Sequence, residues 1–263
     1  MIQTIIVLTI LILGGIAGYL ERSLTTNGAI AAVITGAAVY WGFGIKGLLL
    51  LGLFFITSSL WSKYKSSEKK AIEEKLAKGA TRDWGQVAAN GGSAALLSII
   101  YYFQQDSVWL IGFLVCLAGA NSDTWASEIG TLSKRKPIYI RTFKPVEKGT
   151  SGAVSLLGTI AAIFGSMLIA FAGTWLFDLK LFDFFIVFLF GFLGNVIDTL
   201  FGAFYQQVYI CNKCGITTEK KVHCQIAAKR IKGYQIVDND MVNFLSGTVG
   251  ALLAMIVLYF VTK

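Results

Sequence analysis

Long apolar runs separated by polar connections set the plan of this chain. A helix needs about 20 mostly apolar residues to cross the hydrocarbon of a bilayer, fewer where the bilayer thins. Runs of that kind predict helices near 2–20, 28–44, 46–62, 85–104, 107–125, 151–177, 182–206 and 242–261. The short pair 28–44 and 46–62, joined at Gly44–Gly47, predicts a tight hairpin or a re-entrant element. An outer-membrane barrel would alternate apolar and polar positions over roughly 10-residue segments, whereas these runs are continuous. Ile2–Leu20 lacks the positive n-region and A-x-A-like cleavage site of a signal peptide, so it reads as a retained helix with no soluble domain ahead of it. The expected fold is all-α: one polytopic bundle over 1–263, of about eight spans, with both termini outside.

Charge supports that count. Of the 23 Lys and Arg residues, Arg22 and the segments 63–83, 134–148 and 213–232 hold all but Lys46, Lys180 and Lys263. Basic and non-basic connections therefore alternate, and the positive-inside bias puts the basic ones in the cytoplasm. Composition agrees: 55% of residues are hydrophobic and 14% charged, too apolar for a soluble domain of 263 residues. With 28 glycines and two prolines, the helices suit close packing in lipid. The net charge of +8 follows from the same bias and implies no nucleic-acid partner. The stretch 66–79 reads as a solvated or interfacial polar helix, with attraction to anionic lipid or nucleotide as the alternative. The expected location is the cell (plasma) membrane.

Ionisable residues in or beside membrane spans are costly and tend to mark sites. Asn121-Ser-Asp-Thr-Trp-Ala-Ser-Glu-Ile-Gly130 places Asp123 and Glu128 near the cytoplasmic face. On a continuous helix the two lie about 140° apart, so a break at Gly119 or within Ser122–Ser127 is needed to bring both to one ion. Lys144-Pro-Val-Glu-Lys-Gly-Thr-Ser-Gly-Ala-Val-Ser155 is a basic glycine loop entering an apolar helix, a setting for phosphate, although the Walker A order is absent. In Gly194-Asn-Val-Ile-Asp-Thr-Leu-Phe-Gly202, Asp198 interrupts an apolar run, with Asn195 and Thr199 at helical spacing; a helix–helix hydrogen-bond node is the structural alternative. Arg82, Gln86 and Asn90 form one stripe. Asp238, Asn239, Asp240 and Asn243 head the last helix, where capping is an equal explanation for Asp238 and Asp240.

All three main clusters fall at cytoplasmic helix ends. Carboxylates suit magnesium, and lysines with backbone N–H groups suit phosphate. The adjoining bilayer suits a lipid whose phosphate head sits at the interface. Cys211, Cys214, His223 and Cys224 share the connection 207–237 and resemble a compact structural zinc site. A reduced loop and a disulfide are the alternatives, the latter disfavoured in the cytoplasm. Cys116 reads as packing.

The strings Q-V-A-A-N-G (86–91), N-S-D-T-W-A-S-E-I-G (121–130), G-T-S-G-A-V-S (149–155), G-N-V-I-D-T-L-F-G-A (194–203) and D-N-D-M-V-N-F-L-S (238–246), with the Cys/His loop between the last two, appear in that order. In this the chain resembles the integral-membrane family that contains plant phytyl-phosphate kinase, over roughly 80–263. The resemblance implies phosphoryl transfer from a nucleoside triphosphate, CTP or ATP, to an isoprenyl monophosphate lipid. It implies Asp123, Glu128 and Asp198 as magnesium ligands, with Lys144 and Lys148 at the transferred group. Gly149, Thr150 and Ser151 would cradle that group. From their own polar placement, Arg82, Asn90, Asn121, Ser155, Asn195, Asp240 and Asn243 are further candidates for contact with substrate or nucleotide. Ala153 stands where a second glycine is common in that loop. A cytidylyltransferase making CDP-linked lipid would use the same residues, and a transporter or flippase is the alternative of a different class. The sequence leaves the oligomeric state open.

Overall fold

The computed structural model describes residues 2–261, so Lys263 lies outside the described residues. The helices are α1 (Ile2–Leu20), α2 (Thr26–Lys63), α3 (Ser66–Glu73), α4 (Trp84–Gln104), α5 (Ser107–Gly130), α6 (Leu156–Phe177), α7 (Leu181–Phe204) and α8 (Asn239–Val261). Six of them, α1, α2 and α5 to α8, are long and apolar enough to cross a membrane. The 21-residue α4 falls outside that set because Gln86, Asn90, Ser93 and Ser98 dilute its apolar character.

Helix α2 has 38 residues and would extend about 57 Å if straight. Its two ends instead lie side by side. Lys63 Nζ is 3.1 Å from Glu21 Oε2, next to the start of α2. Arg82 joins both ends: its carbonyl accepts from Thr25 N at 3.0 Å and its guanidinium donates to Ser59 Oγ at 3.0 Å. The fold-back occurs at Gly44, whose φ of +61° lies in the left-handed region open to glycine. The expected pair of short helices is thus a tight helical hairpin with limbs 26–43 and 45–63.

Helix α5 is the centre of the bundle. It packs on α2, α4, α6, α7 and α8, and residues 110–119 are buried without interruption. Phe113, Leu114 and Leu117 are fully enclosed. Gly119 on α5, Gly191 and Gly194 on α7 and Gly250 on α8 let these backbones approach closely, which is how helices gain contact where lipid supplies no hydrophobic drive. Large apolar side chains such as Phe171, Trp175, Leu181 and Phe260 point outward, as a lipid-facing surface requires.

Four connections interlock at one end of the bundle. Lys75 forms an ion pair with Glu147, Glu219 N donates to Lys75 O at 2.8 Å, and Tyr139 OH donates to Ala203 O at 2.9 Å. Short strands order them: β1 (Ile138–Tyr139), β2 (Lys144–Pro145) and β3 (Ala153–Val154) form an antiparallel sheet with β1 in the middle. After α7 come β4 (Val208–Ile210), β5 (Thr217–Thr218), β6 (Val222–His223), β7 (Ile226–Ala227) and β8 (Lys229–Lys232), arranged as a β5-β4-β8 sheet and a β6-β7 hairpin.

Three helix limits differ from expectation by five residues or more. Helix α5 continues to Gly130 rather than ending near 125, because its polar residues face an internal cavity. Helix α6 begins at Leu156, not 151, since Ser155 caps it by accepting from Gly158 N at 3.1 Å. The polar helix expected over 66–79 ends at Glu73.

Candidate functional site

A cavity of about 330 Å³ opens at the interlocked end, large enough for a small ligand or a polyphosphate group. Helices α4 to α8 supply its walls, and α3 and the connections cover it. Asp123 lies seven residues from the end of α5 and Asp198 six from the end of α7, so each sits roughly 10 Å inside the helix terminus. Both line the cavity, and Asn195, one turn before Asp198, reaches Asp123.

Each carboxylate is held on one side. Asn195 Nδ2, one turn before Asp198 on α7, donates to Asp123 Oδ1 at 3.1 Å. Ser246 Oγ on α8 donates to Asp198 Oδ2 at 3.1 Å. With its amide set to satisfy its neighbours, Asn243 Nδ2 donates to the same oxygen at 3.0 Å. Among the described residues nothing donates to Asp123 Oδ2 or Asp198 Oδ1. Two fixed, close, like-charged carboxylates with a free oxygen each form a hard donor set suited to a divalent cation such as magnesium.

Lys148, Gly149, Thr150 and Ser151 line the same cavity. Lys148 has no carboxylate within ion-pair distance among the described residues. Gly149 and Gly152 take φ of +79° and +82°, which lets the loop double back against α3 and the end of α7. Ser151 Oγ donates to Gln206 Oε1 at 2.5 Å and Thr150 Oγ1 to Glu147 O at 2.7 Å. The loop is separated from the start of α6 by β3, so it is not the helix N-terminus expected from the sequence.

Other expected residues divide. Arg82, Asn90, Ser155, Asp240 and Asn243 line the cavity. Asp238 is the cap of α8, its side chain accepting from Met241 N at 3.0 Å, while Asp240 turns to Lys78, whose Nζ lies 2.5 Å away. Asp240 Oδ1 is buried without a partner among the described residues. Lys144 does not belong to the site: it lies exposed in β2, drawn away by pairing with Tyr139. Asn121 is likewise a packing node, accepting from Thr57 and Ser58 and donating to Gly165 O at 2.8 Å in the bundle interior.

Glu128 is repositioned too. Because α5 is unbroken, Glu128 points to a different part of the cavity from Asp123. Ser62 Oγ donates to its Oε1 and Lys69 Nζ to its Oε2, both at 2.7 Å. Lys69, expected on a solvated helix, is 3% exposed. This pair pins α3 over the cavity and leaves Glu128 little freedom to bind an ion. Lys69→Met alone strands the carboxylate and is expected to cost about 3 kcal/mol or more in detergent. Lys69→Met with Glu128→Gln is expected to regain most of that loss. Thermal unfolding of the three proteins checks it, and equal losses in the single and double variants would exclude the pair.

Lys78 and Glu219 also line the cavity and were not legible from their own strings. Lys78 bridges Asp240 and Asp83, the cap of α4. Burial opposes its charge, but the hydrogen bonds to Asp240 and Asp83 outweigh that and raise its pKa. Burial likewise pushes Asp83 up, and Lys78 and the N–H groups of Gln86 and Gly85 bring it below the ordinary value. Burial raises the pKa of Glu219, against the pull of Ala77 N–H and Gln206. Lys232, behind this wall, is lowered to about 8, chiefly by burial.

Beyond the cavity, Cys211, Cys214, His223 and Cys224 converge with their ligand atoms all within 4.8 Å of one another.

Residues 8–251 match the family model described as Integral membrane protein DUF92. A membrane protein of Methanocaldococcus jannaschii is 39% identical over 73% of this chain and 79% of its own length. Protein PGR of Arabidopsis thaliana is 30% identical over 87% and 86%, respectively. Protein VTE6, chloroplastic, of the same plant is 26% identical over 93% of this chain and 68% of its own. No solved structure matches.

Proposed function

Since the chain belongs to the integral membrane family DUF92, the family that holds plant phytyl-phosphate kinase, we propose that it is a magnesium-dependent isoprenyl-monophosphate kinase using a nucleoside triphosphate. The observation that carries this is the meeting of Asp123 and Asp198 with Lys148 and the Gly149–Ser151 loop in one cavity at the basic end of the bundle.

The membrane topology proposed with it has eight crossings: α1, the two limbs of α2, α4, α5, α6, α7 and α8. Each limb of α2 is about 27 Å long, near the hydrocarbon thickness. Both termini then lie on the side opposite the basic connections, and the positive-inside rule puts the cavity on the cytoplasmic face of the cell membrane.

The acceptor phosphate is already an anion, so no base is needed to activate it. Its oxygen attacks the γ-phosphorus, the bond from that phosphorus to the β–γ bridging oxygen breaks, and the electron pair leaves with the nucleoside diphosphate. The obstacle is repulsion between two anions, so catalysis rests on positioning and charge. Lys148, which has no competing carboxylate among the described residues, would neutralise the transferred group, and Arg82 would add positive charge from the α4 side. The Gly149–Ser151 backbone would hold phosphate oxygens. Asp123 and Asp198 would hold magnesium, which when bound supplies charge neutralisation to the polyphosphate. Asn195, Ser246 and Asn243 keep the two carboxylates aimed at the cavity.

Lipid access has a physical basis at the same place. Gly158 and Thr159 line the cavity while Leu156, Leu157 and Ile160 on the same turns are exposed. At the end of α7, Thr199 lines it while Leu200 is exposed. A prenyl chain would lie along this apolar edge with its phosphate inside.

The test is an assay of purified protein with phytyl, geranylgeranyl and farnesyl monophosphates, CTP and ATP in parallel, and magnesium. The expected product is the isoprenyl diphosphate with release of nucleoside diphosphate. Mass spectrometry showing a CDP-linked lipid and pyrophosphate would replace the kinase with a cytidylyltransferase. Substrate movement across sealed vesicles without nucleotide would replace it with a transporter.

A further inference from the structure

We propose that Cys211, Cys214, His223 and Cys224 form a closed structural zinc site whose task is to hold Glu219 and the segment 76–78 in the wall of the cavity. The ligands come from two tight turns. Cys211 follows β4, Gly215 N donates to Cys211 O at 2.9 Å, and Gly215 turns the chain at φ +75° into β5. His223 ends β6, and Cys224 and Gln225 form the left-handed turn into β7. Positive φ at both central residues is what a two-residue hairpin turn requires, and it brings Cys224 beside His223. All four cysteines of the chain are free thiols.

The distances fit the metal. Zinc–sulfur bonds of about 2.3 Å in a tetrahedron put ligand atoms roughly 3.8 Å apart. Here His223 Nδ1 is 3.4 Å from Cys214 Sγ and 3.2 Å from Cys224 Sγ, which marks Nδ1 as the ligating nitrogen. Three sulfurs and an imidazole select a thiophilic cation over magnesium. Four protein ligands leave no open position, as in structural rather than catalytic zinc sites. The resulting charge of −1 sits in a connection that also carries Lys213, Lys220, Lys221, Lys229 and Arg230.

The connection 205–238 has only short strands and few enclosed apolar side chains, so a metal is a natural source of its order. What that order positions is specific. Thr218 Oγ1 and Glu219 N both donate to Lys75 O, at 2.7 and 2.8 Å. Ala77 N donates to Glu219 Oε2 at 3.3 Å, and Gln206 Nε2 to Glu219 Oε1 at 2.7 Å. Gln206 in turn holds Ser151 of the glycine loop. One short chain of contacts therefore runs from the cysteine turns to both the covering segment and the phosphate-side loop.

The full-length chain, purified in detergent without a histidine tag, is expected to carry about one zinc per molecule by elemental analysis. Cys214→Ser and Cys224→Ser should each lose it, and Cys116→Ser should keep it. Exchange with cobalt should give thiolate-to-cobalt charge-transfer absorption, a signature that a merely reduced loop lacks. On chelation, hydrogen exchange should rise in 75–79 and 217–219 and stay unchanged in the buried part of α5. Absence of zinc together with no cobalt absorption on reconstitution would overturn the site. Zinc present with unchanged exchange in 75–79 would overturn its positioning role. None of these readouts requires turnover, so they stand or fall apart from the kinase assignment.

Discussion

Asp123→Asn is expected to leave the chain folded and to lower phosphoryl transfer by about 10³-fold or more, a loss on the scale of removing a preorganised charge-stabilising group. The substitution keeps the shape of the side chain and an oxygen able to accept from Asn195. It removes the charge that would pair with Asp198 in the proposed magnesium site. Relief of repulsion between two close carboxylates should, if anything, raise the unfolding temperature, so stability and activity are expected to move in opposite directions. Transfer of the terminal phosphate of CTP or ATP to an isoprenyl monophosphate, measured beside thermal unfolding, reads both. Turnover like that of the unaltered protein would remove Asp123 from the mechanism, and a chain that no longer folds would make it a structural residue. Glu128→Gln gives a useful contrast. Its carboxylate is committed to Ser62 and Lys69, so its loss should act first on stability.

The second large effect is expected at Gly152. Its φ of +82° is one that side chains with a Cβ adopt at a cost of about 1–2 kcal/mol. The space is also closed: a Cβ there would meet Ala203 Cβ and N at 2.5 Å, at the rigid end of α7. Neither atom is the tip of a flexible side chain, so the loop itself must move. Gly152 O also accepts from Ile140 N at 3.2 Å, tying the loop to the β1 sheet. Gly152→Val is therefore expected to lower stability by at least about 2 kcal/mol. It should displace Lys148 and Ser151 from the cavity and reduce activity at least as much as loss of Lys148 does. Gly79→Ala is the control, since a Cβ there meets nothing within 4 Å and the backbone is not left-handed; it should change stability by less than about 0.5 kcal/mol. Equal behaviour of the two variants would show that the loop is not held as tightly as these contacts require.

Local patterns carried the helices. Residues 2–20 and 239–261 are apolar enough to declare themselves, and the expected limits fall within a few residues of α1 and α8. Where expected limits failed, a tertiary partner was the reason. Helix α5 runs on to Gly130 because its polar last two turns face a cavity rather than solvent or lipid. Helix α6 starts late because the glycine loop and β3 use residues that looked apolar enough for a helix. Asp123, Asp198 and Lys148 were legible because a charge inside or beside an apolar run is conspicuous whatever its partners. Lys144 and Asn121 sit in the same strings and looked equal to them. Nothing local distinguishes a side chain turned into the cavity from one turned to water or to a neighbouring helix.

Alone, the sequence determined that this chain lives in a membrane, which connections share a face, and which polar strings stand at that face. Those properties depend on composition and spacing, and each residue contributes whatever the others do. Only the tertiary structure decided that α2 folds back at Gly44, that Lys69 is buried against Glu128, and that Asp123 and Asp198 share one cavity while Glu128 is tied elsewhere. It also brought Lys78 and Glu219 to the wall. These outcomes rest on contacts between residues up to about 160 positions apart, such as Lys78 with Asp240. Whether such a contact forms depends on the relative rotation and depth of packed helices, which no short stretch of sequence encodes.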